Sequence, residues 1–149
     1  MIPPTTRPQR GFTLVELLVT LVILAIVVAI AIVALMNALD KSKQRATMAD
    51  MRTVSKALEV YSVDNGHLPS DSGGMDALQS VLIPYQSNIV PAKDAWGHPY
   101  SYSRDVLGNY TVESFGKDGA DGAAITVATR DDFNRNIVLV NGQFVAAPQ

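Results

Sequence analysis

The sequence predicts an α+β fold in which a long N-terminal helix packs on a small antiparallel β-sheet. Three observations carry this. No glycine or proline interrupts the chain from Phe12 to Asp64. Within that stretch Met51, Val54, Leu58 and Tyr61 recur at spacings of three, four and three, the mark of one apolar helix face. Beyond it, short segments rich in aromatic and β-branched residues follow one another without intervening helices, which favours antiparallel pairing.

Residues 1–11 contain Arg7 and Arg10 but no apolar core, so they do not form an ordinary secretory signal peptide. From Leu17 to Met36 only Thr20 is polar. As a helix these about twenty residues span roughly 30 Å, the thickness of a bilayer core. Glu16 opens this run, and a charge at such a position is expensive enough to be a functional-site candidate. Basic residues lie on both sides, Arg7 and Arg10 before, Lys41, Lys43 and Arg45 after, so charge alone leaves the orientation open. Past Asn37 the pattern becomes amphipathic, with Lys43, Arg45, Asp50, Arg52, Lys56 and Glu59 mostly off the apolar face. One continuous helix over both parts is about 80 Å long. Asn65-Gly66 supplies its C-cap and Pro69 follows as a stop.

A loop at 70–74 leads into a short helix over Met75–Leu82, and 83–99, with prolines at 84, 91 and 99, is irregular. Tyr100–Ser103 and Tyr110–Phe115 are strands joined by a turn at Leu107-Gly108-Asn109. A Gly/Asp-rich loop runs from Gly116 to Gly122. Ile137–Val140 and Gln143–Val145 flank Asn141-Gly142, a strong hairpin signal.

Removing residues 1–11 leaves 10 basic against 14 acidic residues, which does not suggest a nucleic-acid partner. There is no cysteine, hence no disulfide and no thiolate chemistry. His67 and His98 lack metal-ligand spacing, and Gly116, Gly119 and Gly122 do not form a dinucleotide fingerprint. Trp96, Tyr100 and Tyr102 suit packing better than a recognition surface. No nucleophile–base pair is visible, so no enzyme is expected. Asp118, Asp121, Asp131 and Asp132, with the Ser114 hydroxyl and nearby carbonyls, leave two readings open: oxygen ligands for calcium, or a solvated Asp-Gly turn.

The stretch Arg10-Gly11-Phe12-Thr13-Leu14-Val15-Glu16 before the apolar run resembles the N-terminus of the type IV pilin superfamily. The resemblance implies a leader, 1–11, removed by a prepilin peptidase between Gly11 and Phe12, with N-methylation of Phe12. It implies a transmembrane and filament-core segment over 12–39 and a periplasmic pilin-like domain over 40–149 that includes the second half of the helix. Glu16 is then the assembly residue, facing the cationic terminus at Phe12 of its own or a neighbouring subunit. A pair about 4 Å apart gains roughly 4 kcal/mol at intermediate dielectric before desolvation is subtracted, so its main effect is register.

Three further segments narrow the resemblance to the major pseudopilin, the G subunit of type II secretion. They are Ala57–Pro69, Asp94-Ala95-Trp96-Gly97-His98-Pro99-Tyr100 with Ser101-Tyr102, and Ser114–Gly119, with Asp131-Asp132-Phe133 and Asn141–Phe144 beyond. Members of that family use calcium rather than a disulfide to hold the C-terminal loop. The resemblance thereby favours a Ca2+ site on Asp118 first, then Asp132, Ser114, Asp121 and Asp131. Departures are Ala25 and Val33, where relatives carry a glycine and a proline, and Asn136, where an aspartate is typical. The implied protein is a single-pass inner-membrane subunit of a periplasmic filament that drives export of folded proteins. Its partners are other copies of itself, minor pseudopilins, the prepilin peptidase, an inner-membrane assembly platform and membrane lipid. The alternative is a type IV pilin or minor pilin for adhesion, motility or DNA uptake.

Overall fold

The computed structural model describes residues 11–85 and 90–148. The leader expected at 1–11 lies outside them except for Gly11, as do residues 86–89 of the irregular segment.

Helix α1 runs Leu14–Asn65, as the run free of glycine and proline predicts. It ends where the Gly66 N–H donates to Ser62 O at 2.9 Å. The chain divides into two compact units between Ala38 and Leu39. The helix therefore has two halves of different kinds.

In the first unit the large apolar side chains from Phe12 to Met36 are all exposed, Leu14 by 80% and Ile30 by 71%. The helix is long and apolar enough there to cross a membrane, and none of that window is buried. Each Å² of apolar surface left in water forgoes about 25 cal/mol, and patches of this size mark membrane or protein contact.

The second unit has its own core. Met51, Val54 and Leu58 are fully buried, and Tyr61 packs at the margin. A short helix, α2 (Gly74–Leu82), adds Met75, Leu78 and Leu82. Strands β1 (Ser101–Arg104), β2 (Tyr110–Ser114), β3 (Ile137–Val140) and β4 (Gln143–Ala146) form one sheet in the order β1-β2-β3-β4. Every neighbouring pair is antiparallel. Tyr102, Val112 and Leu139 stand in register across three strands and are all buried. Along β2 the buried residues Tyr110, Val112 and Ser114 alternate with the half-exposed Thr111 and Glu113, so one face is covered. Asn141 and Gly142 both take positive φ, 47° and 81°, the geometry that the tight hairpin between β3 and β4 demands.

Tyr100, Tyr102 and Tyr110 are buried, so these three pack rather than form a recognition face. Tyr100 donates to Thr47 O at 3.3 Å, Tyr102 to Pro69 O at 3.0 Å, and Tyr110 shares a 2.7 Å hydrogen bond with Ser55. Burial pushes the Tyr102 and Tyr110 hydroxyls up to about 12. Strand ends differ from the sequence expectation by one residue. Two 3-10 turns, Ile83–Tyr85 and Val127–Thr129, add structure where only loop was expected.

Candidate processing, assembly and metal sites

The backbone from Gly11 to Thr13 is not helical. No atom lies within 4 Å of where a Gly11 Cβ would be, and Phe12 is 78% exposed. Among the described residues nothing shields the Gly11–Phe12 bond.

Glu16 sits one turn into α1 and closes on Thr13. Its Oε2 accepts from the Thr13 N–H at 3.1 Å and from Thr13 Oγ1 at 3.0 Å, while the Glu16 N–H donates to Thr13 Oγ1 at 3.3 Å. This is a reciprocal capping box, and its signature, Thr13-x-x-Glu16 before an apolar run, is present in the sequence. It gives Glu16 a local role: the carboxylate satisfies an orphan donor at the helix start and faces the positive end of the helix dipole.

The acidic loop is wired differently from the expectation. Asp118 Oδ1 accepts from the Ala120 N–H at 3.1 Å, and Asp121 Oδ1 from the Asn136 amide at 2.9 Å. Asp131 pairs with Lys41 at 3.0 Å, and Asp132 takes Arg135 Nε at 2.9 Å. Ser114 is fully buried and donates to Asp94 Oδ2 at 2.8 Å. Among the described residues no three His, Cys, Asp or Glu side chains gather as a metal would require.

Two aspartates missed by sequence reasoning organise the neighbourhood. Buried Asp94 accepts from the Trp96 and His98 N–H groups at 3.0 and 2.9 Å through one oxygen, and from Ser114 through the other. It thereby shapes the Asp-x-Trp-Gly-x-Pro-Tyr loop. Asp40, 8% exposed, accepts Lys117 Nζ at 2.8 Å and Trp96 Nε1 at 3.3 Å. The Lys117 hydrogen bond holds its carboxyl below the ordinary value. With Lys41–Asp131 and a 3.5 Å bond from Gln44 Nε2 to Arg130 O, these contacts tie the 116–136 loop to α1. Gly116 is required in that loop: its φ is 73°, and a Cβ would meet Phe133 O at 2.6 Å.

The model of the type II secretion system (T2SS) protein G matches residues 34–129, and that of the prokaryotic N-terminal methylation motif matches 6–35. The chain is 33% identical over 129 residues to the type II secretion system core protein G of Pseudomonas aeruginosa, covering 79% of this chain and 90% of the relative. It is 30% identical over 141 residues to that of Vibrio cholerae, covering 86% and 94%. It is 31% identical over 128 residues to that of Escherichia coli K12, covering 78% and 88%. The chain belongs to the type II secretion system protein G family. It is a major pseudopilin subunit of the secretion system, with the α+β pilin-like arrangement, and a structural protein rather than an enzyme. The methylation motif spans the exposed Gly11–Phe12 bond and the capping box. Family and motif together imply partners within the secretion machinery, and an N-terminal apolar helix consistent with an inner-membrane pseudopilin.

The calcium ligands expected from the resemblance do not come together. Calcium takes six to eight oxygens. Here the Ser114 hydroxyl points its proton at Asp94, and Asp131 and Asp132 face Lys41 and Arg135. Beside Asp121 stands the Asn136 amide, which presents N–H groups rather than a carboxylate. The donor set present does not fit the ion.

Proposed function

We propose that the chain is made as a precursor, cut between Gly11 and Phe12 by a prepilin peptidase and methylated on Phe12. The mature subunit spans the inner membrane once through 12–39, with residues 40–149 in the periplasm. From there an assembly platform draws it, together with minor pseudopilins, into a filament. Apolar segments of successive subunits bundle in the filament core, and the open screw contact lets growth continue. Growth moves folded proteins toward the outer membrane. The secretion branch is preferred to an adhesive or motile pilin because the relatives are secretion core proteins. No step of this reading runs through calcium.

The observation that carries the proposal is the contrast between a wholly exposed apolar segment and the single carboxylate fixed at its start. In the bilayer that carboxylate rests on its own Thr13. In the filament it faces the methylated amine of a neighbour, and a misplaced subunit leaves it unmatched in hydrocarbon. The test is Glu16→Leu, which keeps the segment apolar. Intact-mass analysis should show the variant cut and methylated at Phe12 as in wild type, while filament formation and secretion fall sharply. Normal filaments from Glu16→Leu would remove the carboxylate from assembly, and a wild-type chain retaining 1–11 in cells with the peptidase would refute the precursor.

A further inference from the structure

Asn136 is 1% exposed and lies where the 116–136 loop enters β3. Its Nδ2 donates to Glu113 Oε1 at 2.9 Å and to Asp121 Oδ1 at 2.9 Å. Its Oδ1 accepts from the Gly122 N–H at 3.3 Å. Its backbone N–H donates to Ala123 O at 3.2 Å, and its backbone carbonyl accepts from Ile125 N at 2.8 Å. The amide orientation follows from chemistry, since only the NH2 end can face two carboxylates. One buried side chain thus binds the sheet, through Glu113, to the loop, through Asp121 and Gly122.

Two carboxylates turned toward one buried point require a donor between them, either a cation or N–H groups. We infer that the Asn136 amide is a built-in substitute for a metal ion, and that this chain closes its C-terminal loop without calcium. The surrounding contacts fit this. Asp131 and Asp132 are neutralised by Lys41 and Arg135, and Lys117 is drawn to Asp40. The loop is held by protein cations and one amide, all encoded in the chain, and its closure does not depend on the calcium level outside the cell. The inference stands apart from the filament reading, because it concerns only how the 39–149 unit holds together.

The test is thermal unfolding of the full chain in detergent, in calcium and in chelator, with calorimetric titration of calcium alone. Wild type is expected to melt at the same temperature in both and to give no binding heat. Asn136→Ala leaves the two carboxylates without a donor and should melt lower by about 5 °C or more, equally in both buffers. Asn136→Asp places a third carboxylate beside Glu113 and Asp121. It should melt below wild type in chelator and be raised by calcium, so that one atom type converts the loop to metal dependence. Wild type that melts higher in calcium or takes up calcium with measurable heat would overturn the inference. So would an Asn136→Asp chain that melts like wild type in chelator, or that calcium fails to raise. Should Asn136→Ala not fold at all, the wild-type titration alone decides.

Discussion

The two halves of α1 obey opposite rules. From Leu14 to Met36 the apolar residues cover all sides of the helix and none is buried, whereas from Met51 to Leu58 they keep to one stripe and are fully buried. The first half carries more hydrophobic surface yet contributes nothing to a core in the single chain. Its burial waits for lipid or for another helix. The second half spends one face on its own sheet, and with α2 that face makes up the helical side of the core. The buried stripe that stabilises the globular unit and the apolar surface left exposed thereby occupy separable stretches of one helix, and substitutions should separate them.

The largest effect should come from the stripe. Leu58→Ala removes a fully buried side chain and should cost about 2–5 kcal/mol, lowering the melting midpoint of the full chain in detergent by about 10 °C or more. Leu24→Ala, at a residue 59% exposed, should leave that midpoint unchanged. Equal shifts from the two would break the comparison.

A smaller effect belongs to Asp40, just beyond the boundary. Its hydrogen bond from Lys117 lowers its pKa in the folded state below the ordinary 3.8. The sign follows: this contribution is fully present above about pH 4 and is lost as the pH falls through the lowered value. Asp40→Ala should cost about 1 kcal/mol at pH 7, part of it from the indole N–H of Trp96 left without its acceptor. Measured as melting midpoint against pH, the difference between variant and wild type should shrink on acidification toward pH 3. A constant difference would mean that packing, not the ion pair, is what Asp40 supplies.

The division of labour also explains what could be seen in the sequence. The apolar run, the Met51–Tyr61 stripe, the Asn141-Gly142 hairpin and the succession of strands are local patterns, and periodicity or turn chemistry gives them away. The N-terminal methylation motif is visible for the same reason. Partners distant along the chain are not. Asp40 finds Lys117, Lys41 finds Asp131, and Asp94 finds Ser114 only once the fold exists. The acids of the 116–136 loop alone leave a calcium site and a solvated turn open, and the resemblance favours calcium, although two of them have cations waiting on α1 and within the loop. The Thr13–Glu16 capping box is also local, a contact between residues three apart that the Thr-x-x-Glu spacing carries.

The central claim is that the exposed apolar half of α1 is buried by other copies of the same chain. A photo-crosslinking amino acid at Val28, 45% exposed within that half, tests it in cells that carry the secretion machinery. Irradiation should yield a ladder of covalent multimers that a tag-exchange experiment identifies as the same chain, and the ladder should disappear in Glu16→Leu. Only monomer and lipid adducts at Val28, with the machinery present and secretion active, would contradict the account.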